Sequence, residues 1–331
     1  RTLSMPKNHE ALVKAVSEVQ KNTVVVVMCG GCITMPWIDD VRGVLYAYLG
    51  GEAVGTATLD LLFGDVNPSG KLAETFPRRL EDNPSYLYFF GDEQNKTEYR
   101  EGVFVGYRYY DKKNMDVLFP FGYGLSYTTF EYSNLTLDKP KMNDTDTLTV
   151  SVNVRNTGKV KGKEVVQLYV GMPESHTIRP VKELRGFEKI ELEPGEEKTV
   201  TFTLAKRAFA YYRTDISDWY VESGDYTIMA AKSSRDIACT ATVNVTSTTQ
   251  IKRVYTMNST IEEIMESPVG REILGKMMAQ NPLAQADADD IGMGEAMARM
   301  MAEMPLRALL SFGGDSVPAG AGEMLLKQLN A

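Results

Sequence analysis

Glu101 and Arg108 are oppositely charged residues within the aromatic stretch at 99–135. A carboxylate and a guanidinium group beside a cleft could together contact a polar substrate. Burial would raise the pKa of the carboxyl group unless the guanidinium offset its desolvation. The alternative is an ion pair between these two residues that fixes the local structure, and we favour this alternative.

Cys29 and Cys32 form a C-x-x-C motif directly after an apolar run, and Cys239 stands alone. Such a motif carries redox chemistry in a thioredoxin-like βαβ unit, but the residues that follow do not have the pattern of that unit. Three cysteines make no disulfide framework, and free thiols are typical of a reducing compartment. We therefore expect no redox function, and we expect a cytoplasmic location.

The sequence predicts neither a metal site nor a nucleotide site. His9 and His176 are isolated in the sequence, and two isolated histidines do not make a metal site. The run GDVNPSGK at 64–71 ends in Gly-Lys but lacks the leading glycine spacing and the Ser/Thr of a P-loop. We therefore expect no cofactor.

Charge and hydropathy exclude two classes of partner. The net charge of −8 argues against nucleic acid, which would require a basic face. Apolar runs are too short to cross a bilayer, so a membrane partner is not expected either. The length of 331 residues predicts two or three domains.

The first 98 residues alternate between helical and extended patterns. Pro6 to about Lys21 predicts an amphipathic helix, and the β-branched run at 23–28 predicts a parallel strand buried on both faces. A second helix is expected from Pro36 onward, with apolar side chains on its inner face: Trp37, Val41, Val44, Leu45 and Tyr48. A third helix is expected over 52–63 and a returning strand over 71–76. Two strands leave a sheet with open edges, so we expect further strands before the first residue.

The stretch at 99–135 is dense in tyrosine, phenylalanine and glycine. Its alternation of apolar and polar residues predicts short extended pieces, with Pro120 and neighbouring glycines at the turns. The sequence before it is typical of α/β structure and the sequence after it of all-β structure. We therefore interpret this stretch as the join between two domains, with rings buried on both sides.

The residues from 135 to about 247 have the pattern of a β-sandwich. Apolar residues alternate with polar ones from Leu148 to Val154, and further strands are expected at 164–171, 181–190, 198–204, 225–231 and 239–246. Pro194-Gly195 predicts a turn in which the glycine takes a positive φ.

The last part of the chain has a helical pattern. Ser259 or Thr260 is expected to cap one helix and Ser267-Pro268 to open another. A loop is expected over 282–294, and further helices over 295–310 and 322–329. Ten of the 17 methionines lie from Met257 onward. Methionine suits either an adaptable binding surface or soft packing between short helices and a larger body, and we favour packing.

Several of these runs together resemble glycoside hydrolase family 3. The motifs are MPW at 35–37, GGEAVGTATLDLLFGDVNPSGKL at 50–72, TFP at 75–77, EGVFVGYRYYD at 101–111, FPFGYGLSYTTF at 119–130 and RPVKELRGFEKIELEPGEEKTVTFTL at 179–204. The resemblance implies a multidomain protein. Its parts would be the end of an α/β sandwich domain at 1–98, an aromatic hinge at 99–130, a fibronectin type III-like β-sandwich at 131–247 and an α-helical tail at 248–331.

The resemblance also implies a retaining glycosidase that uses two carboxyl groups. In the family, an Asp of a preceding barrel domain is the nucleophile, and in many members a Glu just before the DR of an EGxDR segment is the acid/base. Arg1 and the LSMP at 3–6 resemble the end of that segment. We therefore assign no catalytic residue to this chain, and expect both to lie upstream. Arg1, Glu101 and Arg108 remain the candidates for a substrate cleft.

The implied activity is the hydrolysis of terminal non-reducing β-D-glucosides, by a protein of which this chain is the C-terminal portion. A β-linked oligosaccharide or an aryl glucoside would be the substrate, and the upstream barrel half would be the partner. A homo-oligomer is left open. The alternatives are a β-xylosidase or related exo-glycosidase, and a non-catalytic carbohydrate-binding or scaffolding module.

Overall fold

The computed structural model describes residues 2–89, 91, 96–251, 253–279, 299–312 and 320–330. The chain divides into two compact units, Arg1–Thr249 and Gln250–Ala331. The first unit contains an α/β part, the aromatic hinge and a β-sandwich, and the second unit is helical. Within the described ranges, no helix has the length and apolarity needed to cross a membrane.

The α/β part has two helices and one pair of parallel strands. Helix α1 spans Lys7–Val19, strand β1 spans Val24–Val27, strand β2 spans Gly43–Tyr46 and helix α2 spans Val54–Phe63. Strands β1 and β2 pair in parallel, with Val24 opposite Gly43. A small core lies beside them, formed by Val27, Ile33, Met35, Trp37 and Phe76. The predicted first and third helices and the parallel first strand are confirmed. The predicted burial of that strand on both faces is wrong, because Val24 is 50% exposed and only Val27 of β1 is buried.

The predicted helix from Pro36 is wrong. A single 3-10 turn spans Ile38–Asp40, and the chain then enters β2. The Arg42 amide donates to the Thr23 carbonyl and the Ala47 amide donates to the Val27 carbonyl, each at 2.8 Å. Short apolar runs fit a helix and a strand equally well. Here the strand is favoured because the backbone N–H and C=O groups along the edge of β1 need hydrogen-bond partners, and β2 supplies them.

The predicted strand at 71–76 is also wrong. This segment forms one antiparallel bridge, between Phe76 and Phe119 of the aromatic hinge. At the start of the same segment, the Leu72 amide donates to the Tyr123 carbonyl of the hinge at 2.8 Å. Pro120 lies between these two contacts and has no amide hydrogen, so a continuous ladder cannot form there. The segment therefore ties the α/β part to the aromatic hinge.

The aromatic hinge contains helix α3, Tyr107–Lys112, where the sequence predicts only extended pieces. Three of the six residues of α3 are tyrosines, which have low helix propensity, so tertiary packing rather than intrinsic propensity favours the helix here. Tyr107 stacks on Phe121 with ring centroids 4.9 Å apart and meets Tyr169 of the β-sandwich edge to face at 5.9 Å. On the other side, Phe119 contacts Phe76 of the α/β part at 6.1 Å. The prediction that rings pack on both sides of the join is confirmed.

Ten strands form the β-sandwich and its appended hairpin. They are β3 Phe130–Leu137, β4 Lys141–Asn143, β5 Leu148–Asn156, β6 Gly162–Gly171, β7 Glu183–Leu192, β8 Glu197–Leu204, β9 Tyr211–Arg213, β10 Asp218–Tyr220, β11 Gly224–Ala231 and β12 Ile237–Thr246. One sheet has the order β4-β12-β11-β6-β7, the other has the order β3-β5-β8, and β9 and β10 pair as a hairpin. The sequence predicts six of these strands and misses β3, β4, β9 and β10.

The core of the sandwich follows the predicted alternation. Leu148, Val150, Val152 and Val154 of β5 are fully buried between the two sheets. Full burial of such a side chain contributes about 1.5–3 kcal/mol relative to exposure. Gly195 has φ +80°, which confirms the turn predicted for Pro194-Gly195.

In the described part of the second unit, the helices with defined bounds are α4 Ile261–Met265, α5 Pro268–Ala279, α6 Leu306–Phe312 and α7 Ala321–Leu329. Residues 299–302 are helical as well. The Thr260 side chain accepts from the Glu263 amide at 3.2 Å, and the Glu263 carboxylate accepts from the Thr260 amide at 3.0 Å. This reciprocal capping box selects Thr260 over Ser259 as the cap. Methionines pack around the core of this unit: Met257, Met265 and Met304. The predicted loop at 282–294 and the start of the helix at 295–298 lie outside the described residues.

Candidate functional site

Cys29 and Cys32 lie in the loop after β1, at the edge where ligands bind in many parallel sheets. Burial and the neighbouring Glu74 carboxylate raise the pKa of the Cys32 thiol to about 12. A thiol with so high a pKa stays protonated at neutral pH and is a poor nucleophile. Both cysteines are free. The geometry therefore gives the redox alternative no support.

Two of the three predicted cleft residues can be placed. Arg1 lies outside the described residues, and its role stays a prediction. Glu101 lines a surface cleft of about 390 Å³ whose other walls include Tyr88, Phe104 and Tyr109. Its Oε2 atom is buried and has no hydrogen-bond donor among the described residues. A carboxylate oxygen without a donor is able to accept a hydrogen bond from a hydroxyl group.

Arg108 does not pair with Glu101, and the predicted ion pair between them is wrong. The Nη1 atom of Arg108 lies 3.7 Å from Oε1 of Glu183 at the start of β7. Helix α3 carries Arg108 to this position, because the neighbouring Tyr107 is packed on the β-sandwich. The Tyr107 hydroxyl also accepts from the Leu184 amide at 2.8 Å. The ion pair of Arg108 therefore joins the aromatic hinge to the β-sandwich.

Glu183 is the centre of a cluster that sequence reasoning missed. Its Oε2 atom lies 2.7 Å from Nη2 of Arg185 and 3.8 Å from Nη2 of Arg179. Burial lowers the pKa of the Arg185 guanidinium, although Glu183 opposes the shift. The signal in the sequence was the run RPVKELR at 179–185, where cationic residues and one glutamate lead into an apolar strand. The run matched a family motif, but nothing in it indicated that Arg108 would join the cluster.

Comparison with known families decides what these parts belong to. Residues 1–127 match the model of the glycosyl hydrolase family 3 C-terminal domain, and residues 164–234 match that of a fibronectin type III-like domain. The chain belongs to glycoside hydrolase family 3.

Individual relatives show how far the likeness extends. The thermostable beta-glucosidase B of Acetivibrio thermocellus is 51% identical over 329 residues, which are 99% of this chain and 43% of that protein. The exo-alpha-(1->6)-L-arabinopyranosidase of Bifidobacterium breve is 40% identical over 316 residues, 95% of this chain and 41% of that protein. The crystal structure of the GH3 beta-glucosidase of Bifidobacterium adolescentis superposes with a TM-score of 0.73 at 40% identity, covering 83% of this chain and 40% of that one. The chain therefore spans less than half the length of these relatives.

Two further ion-pair groups hold the parts of this family 3 chain together. Asp111 of α3 is bound by Lys182 at 2.7 Å and by Arg235 at 3.0 Å, and its carboxylate is nearly buried. Lys71 of the α/β part lies 3.1 Å from Glu164 of β6. Both groups cross from one part to another, and a buried pair fixes geometry because breaking it leaves a buried charge uncompensated.

The carboxylates that the structure describes in this family 3 chain do not gather into a metal site. In the described ranges, no group of three or more His, Cys, Asp or Glu side chains is placed to hold a metal ion. The shortest contact of His176 is with Glu222, whose Oε1 atom lies 2.6 Å from Nδ1.

Proposed function

We propose that this chain is the C-terminal part of a retaining, exo-acting β-glucosidase that hydrolyses terminal non-reducing β-D-glucosides. The observation that carries the proposal is the 51% identity to a thermostable beta-glucosidase B over 99% of this chain. A β-linked oligosaccharide or an aryl glucoside is the proposed substrate. Retaining hydrolysis needs one carboxyl group as the nucleophile and a second as the acid/base.

The proposed division of labour places both catalytic carboxyl groups before Arg1, on the upstream barrel half and its link to the α/β part. This chain would then hold the parts around the catalytic groups in a fixed geometry. The bridge between Phe76 and Phe119 and the ion pair between Lys71 and Glu164 hold the α/β part against the aromatic hinge and the β-sandwich. Fixed support is valuable because small displacements of catalytic groups cost much of the rate.

The test is a comparison of substrates by the protein translated from the whole reading frame. We expect kcat/KM for p-nitrophenyl β-D-glucopyranoside to exceed the values for the β-D-xylopyranoside and the α-L-arabinopyranoside. Replacement of the upstream nucleophile Asp by Asn should abolish all three activities. Retention of these activities by the Asn variant would contradict the proposed mechanism.

A second candidate activity is supported by one relative. The exo-alpha-(1->6)-L-arabinopyranosidase of Bifidobacterium breve is 40% identical over 95% of this chain. The same assay distinguishes it, because the α-L-arabinopyranoside would then be the best substrate, and a β-xylosidase would prefer the xyloside. A non-catalytic carbohydrate-binding module remains the alternative of another class. An unrelated domain upstream of Arg1, together with no hydrolysis of any of the three glycosides, would favour it.

We also propose a cytoplasmic location. The three free cysteines, Cys29, Cys32 and Cys239, support a reducing compartment. Fractionation of the producing cells with an antibody against the β-sandwich tests this directly. Recovery of the protein in the medium or behind an outer membrane would contradict it.

A further inference from the structure

A cavity of about 610 Å³ opens where the aromatic hinge meets the β-sandwich, and we call it the basic cavity. Five arginines but only two carboxylates, those of Glu183 and Asp215, lie in its wall. The chain as a whole carries a net charge of −8. The excess of positive charge is therefore a local property of this cavity, opposite in sign to the rest of the protein.

The carboxylates do not neutralise these arginines. Glu183 is shared among Arg108, Arg179 and Arg185. Asp215 is already held by two hydrogen bonds from Arg213, at 2.9 and 2.6 Å. Three guanidinium groups around one carboxylate leave positive charge without a partner, and such charge is costly where water is partly excluded.

Two hydrogen-bond donors in the wall of the basic cavity also lack an acceptor. Nη1 of Arg179 and Nε of Arg185 are buried and have no hydrogen-bond partner within the part of the chain that the structure describes. The Arg179 side chain is only 7% exposed. Nearly all buried donors in proteins are satisfied, and an unsatisfied pair on adjacent arginines calls for an explanation.

We propose that the basic cavity binds a small oxyanion, with Arg179 and Arg185 as its donors. A guanidinium group presents paired N–H donors that match the oxygens of a carboxylate or a phosphate group. Tyr211, Tyr212 and Trp219 also line the cavity, so the body of an organic anion has aromatic surface to contact. The carboxylate of a sugar acid and inorganic phosphate share this chemistry.

The test is isothermal titration of the 331-residue chain at fixed ionic strength. One arm uses inorganic phosphate and a second uses D-glucuronate, with D-glucose as the uncharged match of glucuronate. We expect saturable binding of at least one anion and none of glucose. Tighter binding of glucuronate identifies a carboxylate site, and binding of phosphate alone identifies a phosphate site.

Variants locate the binding. Arg185→Gln should weaken anion binding about tenfold or more, because a charge-assisted fork is lost. The anion affinity of Arg185→Lys should lie between those of Arg185→Gln and the parent, since lysine keeps the charge but not the paired donors. Arg155→Gln removes the same charge from an exposed position of β5 and should leave binding unchanged. The proposal is overturned if neither anion binds, or if the Arg155 and Arg185 variants weaken binding equally.

Discussion

Glu183 is the residue on which three guanidinium groups converge, those of Arg108, Arg179 and Arg185. Glu183→Gln removes the negative charge that these three share and leaves their positive charges facing one another. Because the Glu183 side chain keeps 19% of its exposure, we expect a loss of about 2–3 kcal/mol in the free energy of unfolding, below the range for a fully buried pair. Urea unfolding followed by tyrosine and tryptophan fluorescence measures it.

The matched control for this substitution lies on the same strand. Glu188→Gln removes an exposed carboxylate of β7 and should change the free energy of unfolding by less than about 0.5 kcal/mol. Similar losses from both variants would mean that the Glu183 cluster contributes no more than a surface charge.

Glu222 gives the β-sandwich a pH-dependent contribution to stability. Burial pushes the pKa of this carboxyl group upward, but hydrogen bonds from the His176 amide, the Ser175 hydroxyl and the His176 ring outweigh burial and hold the pKa below its usual 4.5. A carboxyl group with a depressed pKa stabilises the fold above its ordinary pKa, and this stabilisation is lost as the pH falls through the depressed value.

We therefore expect Glu222→Gln to lower the urea midpoint at pH 7, and the difference from the parent to shrink below pH 4.5. Glu174→Gln, an exposed neighbour, should show no such dependence on pH. A difference that stays constant from pH 7 to pH 3 would mean that Glu222 contributes through packing alone.

The turn between β7 and β8 depends on one backbone conformation. Gly195 has φ +80°, and a Cβ atom added there would meet nothing within 4 Å. The cost of Gly195→Val is therefore conformational strain without a clash, about 1–3 kcal/mol. Gly195→Asn should cost less, because asparagine tolerates the left-handed region. Thermal unfolding measures both, and an unchanged melting temperature for the valine variant would refute the role of the turn.

Elements with a clear period were predictable, and elements fixed by distant contacts were not. Strand β5 could be predicted because its buried side chains alternate without interruption from Leu148 to Val154. Strand β2 was mistaken for a helix, because its short apolar run acquires its conformation from hydrogen bonds beside β1. Helix α3 could not be predicted, because it lies among aromatic residues, which also favour strands. The ion pair of Arg108 with Glu183 could not be predicted, because folding brings together two residues that are far apart in the sequence.

At the scale of the whole molecule, we expect the α/β part to be less stable than the β-sandwich. Among the described residues, strands β1 and β2 form a sheet of two strands, each with an unpaired edge. Apolar side chains of the flanking helices are also exposed, Val19 of α1 at 86% and Phe63 of α2 at 79%. By contrast, β5 is paired on both sides within the β-sandwich. Few buried contacts and open backbone groups lower the free energy of local opening.

Hydrogen exchange of the 331-residue chain should therefore show weak protection of the amides in β1 and strong protection in β5. Addition of the proposed upstream half should raise protection in β1 and leave β5 unchanged, so β5 serves as the internal control. Protection of β1 as strong as that of β5 in the chain alone would mean that the α/β part needs no further strands.

Hydrolysis of p-nitrophenyl β-D-glucopyranoside, with and without the upstream half, tests the central claim most directly. The purified 331-residue chain should release no nitrophenol above the blank, because both carboxyl groups of the retaining mechanism are proposed to lie before Arg1. The same chain mixed with, or joined to, the segment that precedes it in the reading frame should hydrolyse the glucoside. Activity of the chain alone that persists through further purification would contradict the proposal, since the catalytic carboxyl groups would then lie within this sequence.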